Sequence, residues 1–207
     1  MSIITFSENP EGYLLPLEDG QLLCDFANPL EEAEKWVREQ DFTIANEVVI
    51  LGLGAGFHVR ALREAHPYLK IHLIEVRDQL LPIYKRQIHS QIENYSCFQS
   101  LEALLDSDTF ETVVHKSLPV YFFRKSWGAQ EDLFYSLWKN LTGRSVYAIA
   151  KHFANIGVEI DEGTLVSLKQ SEKPLTIKDA TDLIIKSESP GAKQNRGYFE
   201  TLRELLR

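Results

Sequence analysis

The stretch that most limits what this chain can fold into runs from residue 47 to residue 76. Residues 47–57 read EVVILGLGAGF, an apolar run that enters a turn carrying Gly52, Gly54 and Gly56. The pattern predicts a buried strand running into a glycine turn. A helix is expected from about 57 to 65, ending at His66-Pro67, because proline disfavours helical geometry in the residue before it. A second apolar run, Ile71-His72-Leu73-Ile74, leads to an acid, Glu75. The whole is a βαβ unit with glycines at its first turn and a carboxylate at the end of its second strand. That combination holds the sugar and the phosphate or sulfonium side of nucleotides in many unrelated enzymes.

The flanking sequence extends this unit in both directions. Asp19-Gly20 between the apolar runs 13–17 and 21–25 signals a hairpin. Asn28-Pro29, with Glu31 three residues after the asparagine, signals a helix start. Leu30, Ala33, Trp36 and Val37 would share one face of that helix. Beyond Glu75, a helix is expected over about 80–89, a strand over 95–98, a helix through Leu101, Leu104 and Leu105, and a fourth strand over 112–116. A helix over 130–141 and a fifth strand over 146–150 follow. Thr176-Ile-Lys-Asp179 resembles a capping box opening a helix to about 186. Residues 187–197 read as a polar linker, and 198–207 as a short closing helix. The expected fold class is therefore α/β: a Rossmann-like open, mostly parallel sheet with an N-terminal hairpin-plus-helix and a C-terminal helical appendage. The expected boundaries are 1–42, 43–165 and 166–207.

With 207 residues the chain can bury a full core, and its net charge of −8 disfavours a broad nucleic-acid or anionic-membrane surface. Two cysteines, Cys24 and Cys97, form neither a metal spacing nor a disulfide framework. No apolar run reaches membrane-spanning length and no secretory signal follows Met1, so a cytoplasmic protein with no membrane span is expected. The six histidines show no metal-ligand pair.

The GxGxG array of Gly52, Gly54 and Gly56 resembles motif I of the class I S-adenosylmethionine-dependent methyltransferases. The resemblance spans roughly half the chain. It implies a transferase with S-adenosylmethionine as cofactor, the glycines lining it, Glu75 on its ribose hydroxyls, and Phe57 and Val76 either side of the adenosine. The family's motif has an acid two residues before its first glycine, where this chain has Ile50. Over its first 76 residues the chain is also similar to the core of the motility-associated factor family of flagellin glycosylation. That family shows a "dP-x-x-E-A" helix, a "GLGxGYH" turn and a following strand-end acid. Asn28-Pro29, Glu32-Ala33, Gly52 to His58 and Glu75 occupy those places. This second resemblance implies handling of a nucleotide-activated sugar. A third reading is a binding or scaffold module that keeps the fold without the chemistry.

In open α/β sheets, sites lie outside the carboxyl ends of the strands. On the expected strands, those ends would present His115, Lys116 and His152 to one cleft. A histidine there would serve as general base towards an acceptor, and a lysine would hold an anionic group. The expected partner is a small molecule. The acceptor and the oligomeric state are open. His58 in the first turn of the helix, and the cluster of Tyr121, Phe122, Phe123 and Trp127, have either packing or ligand roles open to them.

Overall fold

A computed structural model describes residues 2–155, 157–158, 160–169 and 175–206. The chain divides into two compact units, Met1–Trp138 and Lys139–Arg207.

The first unit opens with an antiparallel three-stranded sheet of β1 (Ile4–Glu8), β2 (Leu14–Glu18) and β3 (Gln21–Leu22), in that order. The expected hairpin is there, with Asp19 and Gly20 both at positive φ, and β1 pairs along its outer edge. Helix α1 (Pro29–Arg38) follows. Its expected cap does not form, because the Asn28 side chain makes no capping bond. Asp25 organises the start instead, accepting from the Ala27 and Asn28 amides at 2.9 and 2.7 Å.

Strand β4 (Glu47–Leu51), helix α2 (Phe57–Ala65) and strand β5 (Lys70–Glu75) form the expected βαβ unit. After it, residues 78–91 coil through 3-10, α and π turns, including the short α3 (Leu81–Ile83) that Pro82 opens. Strand β6 (Asn94–Cys97) pairs with β5. Helices α4 (Leu101–Leu105) and α5 (Asp108–His115) then return the chain to β7 (Val120–Phe122) on the far side of β4. The sheet is four-stranded and wholly parallel, ordered β6-β5-β4-β7. Helix α6 (Glu131–Leu141) follows.

Two expected strands are helices. The run 112–116 lies in α5 and its following residue, and 146–150 lies in α7 (Val146–Asn155). In each case a serine cap overrides the β-branched composition. Ser107 Oγ accepts from the Phe110 amide at 3.2 Å, and Ser145 Oγ from the Ala148 amide at 3.1 Å. Phe110 with Val113, and Ile149 with Phe153, then bury one helical face each. The actual fourth strand is the three-residue run after Pro119, whose carbonyl accepts the Val49 amide at 2.9 Å.

The second unit is helical among its described residues. It holds α7, α8 (Glu162–Lys169), α9 (Ile177–Lys186), α10 (Pro190–Gln194) and α11 (Arg196–Leu205). The expected boundary at 165 falls inside this unit, within α8. Part of the stretch read as linker is α10. Phe153, Leu168, Leu175, Ala180, Ile184 and Phe199 form a separate core. The expected capping box is complete: Thr176 and Asp179 bond each other's amides at 3.1 Å.

Candidate functional site

Gly52, Gly54 and Gly56 all have positive φ, at 92°, 48° and 81°, as a glycine-built strand-to-helix turn requires. What lies over them is the chain itself. A Cβ on Gly52 would stand 2.5 Å from Ser126 Oγ and 2.9 Å from Trp127 Cδ1. One on Gly54 would stand 2.7 Å from Ser126 Cβ, and one on Gly56 2.7 Å from Ile88 Cδ1. The glycines are there for close approach, and residues 88 and 126–127 are what approaches.

Hydrogen bonds fasten this cover. Trp127 Nε1 donates to the Leu51 carbonyl at 3.1 Å, and Ser126 Oγ to the Phe123 carbonyl at 2.7 Å. His58 Nε2 lies 3.0 Å from the Gly52 carbonyl and donates to it, so the ring is held as the Nε2–H tautomer. Burial drives the His58 pKa down to about 4, against the raising effect of that bond. Trp36 meets His58 edge-on at 5.5 Å, and Phe57 meets Tyr13 edge-on at 5.1 Å. Both aromatic contacts tie the turn to the N-terminal segment.

Glu75 is fully buried at the end of β5. Its Oε2 accepts from the Leu53 amide at 2.6 Å and from Arg77 Nη2 at 3.0 Å. Its Oε1 accepts from the Val76 and Arg77 amides at 2.8 and 3.1 Å, and from Arg77 Nε at 2.8 Å. Arg77 is also buried, at 3% exposure. It extends from Glu75 to Glu18 Oε2 at 3.0 Å and to the Ser126 carbonyl at 2.6 Å, with Phe134 packed 5.4 Å from the guanidinium carbon. Glu18 accepts in turn from Ser2 Oγ, the Ala129 amide and Gln130 Nε2. Burial opposes ionisation of Glu18, but the bonds from Ser2 and Gln130 and the Arg77 charge outweigh it and leave its pKa below the ordinary value. The Arg77 pKa stays raised despite burial, because Glu75 and Glu18 hold the charged form. The result is a buried Glu18–Arg77–Glu75 triad over the turn that was expected to hold a nucleotide.

The other expected site residues sit elsewhere than at strand ends. None of His115, Lys116 and His152 ends a strand, so the strand-end placement expected for them is not met. His115 is the exposed last residue of α5. Lys116 Nζ donates to Glu47 Oε2 at 3.0 Å, and Glu47 opens β4, so this lysine serves the end of the sheet opposite the glycines. Hydrogen bonds from Lys116 and Lys70 lower the Glu47 pKa to about 2. His152 is in α7 and its side chain lies outside the described residues. Phe57 and Val76 are buried. Ser126 and Trp127 stand against the glycines, and Glu75 has both carboxylate oxygens engaged.

Sequence reasoning passed over Arg77, Glu18 and Ser126. A cation two residues after the strand-end acid was the available signal for the first of these. Among the described residues no helix is long and apolar enough to cross a membrane, and no three His, Cys, Asp or Glu residues cluster to hold a metal ion. Comparison of the chain with protein-family models, with curated proteins and with solved structures finds no match.

Proposed function

We propose that this chain is a binding or scaffold module on a Rossmann-like fold, with its first crossover sealed by its own residues. The observation that carries this reading is the saturation of Glu75 by Arg77 and three backbone amides. In the methyltransferase-like reading, the same carboxylate must face the ribose of S-adenosylmethionine. That would require Arg77 to leave Glu75 and residues 126–127 to leave the glycines. Breaking a buried ion pair costs about 3–5 kcal/mol. A penalty of about 4 kcal/mol turns a micromolar ligand into a roughly millimolar one.

The likeness to the motility-associated factor core supports a second, narrower reading. The residues that carry it pack as one unit. Helix α1 lies against α2 with Ala33 buried, Glu32 Oε2 accepts the Asp25 amide at 2.6 Å, and His58 holds Gly52. Each has a structural task, as members of a shared core would. Under this reading the module belongs to machinery that handles a nucleotide-activated sugar.

Thermal shift separates the readings. S-adenosylmethionine, S-adenosylhomocysteine, a CMP-sugar and a UDP-sugar are each expected to leave the melting temperature unchanged. A rise with S-adenosylhomocysteine that is lost in Glu75→Gln would overturn the sealed reading and restore the transferase. A rise with the CMP-sugar alone would select the sugar-handling reading.

A further inference from the structure

A recess of about 380 Å³ opens beside the outer strand of the parallel sheet, at the carboxyl end of β7. It lies within the first unit, and it rests on the sealed reading of the glycine turn, because Trp127 is both one of its walls and part of that cover. Four aromatic side chains line it: Phe122, Trp127, Tyr135 and Trp138. Their rings are set at mixed angles. Phe122 and Trp127 are 4.5 Å apart and tilted by 32°, Phe122 and Trp138 are 6.2 Å apart at 80°, and Tyr135 and Trp138 are 5.7 Å apart at 21°. The volume falls within the range of about 300–1,000 Å³ usual for small-molecule sites.

The polar part of the lining is acidic in excess. Glu131 and Asp132, both exposed in the first turn of α6, share the rim with Arg124. Arg124 is engaged by Glu131. No described residue makes an ion pair with Asp132, so the rim keeps one uncompensated negative charge. Aromatic faces carry the negative side of a quadrupole, and a carboxylate beside them adds to that field. An anion would meet both at a disadvantage, and a neutral apolar group would gain nothing from Asp132.

We infer that this recess binds an organic cation of the methylated-ammonium class, seated between Phe122, Tyr135 and Trp138, with Asp132 as its counter-charge. The quaternary head of a free small molecule and a methylated lysine side chain share this chemistry.

Tryptophan fluorescence tests the inference directly, because Trp127 and Trp138 line the recess and Trp36 does not. The full chain is titrated with choline, with its uncharged isostere 3,3-dimethylbutan-1-ol, and with a short peptide carrying either trimethyl-lysine or lysine. Saturable quenching by choline or by the trimethyl-lysine peptide is expected at a dissociation constant of about 1 mM or tighter. The uncharged isostere is expected to bind at least about ten-fold more weakly. Choline binding alone identifies a free small molecule, and tighter binding of the methylated peptide identifies a protein side chain. Tyr135 is 39% exposed, and an unchanged melting temperature of Tyr135→Ala checks that its fold is kept. The variant is expected to weaken binding roughly ten-fold, and Asp132→Asn about three-fold. Equal binding of choline and its isostere overturns the inference. So does unchanged binding in both variants, and so does the absence of saturable quenching by either cation.

Discussion

Arg77 grips Glu75 from two residues away, with Nε 2.8 Å from one carboxylate oxygen and Nη2 3.0 Å from the other. Both side chains are buried, and the third member of their network, Glu18, arrives from the N-terminal sheet. A buried pair of this kind adds little over a well-packed apolar substitute, yet it is expensive to break by halves. Glu75→Ala is therefore expected to destabilise the protein by about 3–5 kcal/mol, read as a shift in the urea midpoint. Arg77→Leu is expected to cost at least as much, because it leaves two buried carboxylates without their shared cation. An unchanged midpoint in Glu75→Ala would show that the pair does not hold the turn.

The fit of Ser126 into the glycine turn gives a second prediction. Gly54→Ala brings a Cβ to 2.7 Å from Ser126 Cβ at a positive φ. Backbone strain of about 1–3 kcal/mol and overpacking of about 1–3 kcal/mol both apply there. Gly143→Ala is the control, since it shares a positive φ but has nothing within 4 Å of the added methyl. The loss in Gly54→Ala is expected to exceed that in Gly143→Ala. Adding Ser126→Gly is expected to recover part of the difference in a double-mutant cycle followed by thermal melting, the Ser126 Cα and the Leu23 carbonyl remaining close to the added methyl.

Acid should loosen the same turn through His58. Its folded pKa of about 4 is below the ordinary value of 6.5, so the unfolded chain binds the proton more readily. The stability held by the neutral ring is fully present above pH 6.5 and is lost as the pH falls towards 4. Over that window the contribution is about 3 kcal/mol. Glu18, whose pKa is lowered, adds a further loss only below its ordinary carboxylate range. Urea midpoints measured from pH 7 to pH 4 are expected to fall in the parent chain and to fall less steeply in His58→Gln. Parallel slopes in the two proteins would contradict the assignment of a buried neutral imidazole.

The capping box of α9 gives a test local to the second unit. Thr176→Ala removes the oxygen that accepts the Asp179 amide at 3.1 Å and is expected to cost about 1 kcal/mol. Amide hydrogen exchange should show lost protection in the first turn of α9, with little change in its last turn. Uniform loss along the helix would point to a role in packing rather than in capping.

The sequence alone determined the elements whose signals are local. The buried run into Gly52, the stop at His66-Pro67, the acid at the end of β5 and the capping box at Thr176 all follow from neighbouring residues, and all appear in the structure. Val113 and Ile149 show where local reading fails. Both lie in β-branched or apolar runs that suit a strand, yet the serine caps at 107 and 145 start helices that bury them on one face. The caps were visible in the sequence, but composition outweighed them. The cover over the glycine turn was decided only by tertiary structure. Glu18 is 59 residues from Arg77, and Ser126 is 49 residues from it on the other side. A glycine array and a strand-end acid mark a place where something comes close to the backbone. Whether that is a ligand or the chain's own serine, tryptophan and arginine depends on long-range packing, which turn chemistry and periodicity do not encode.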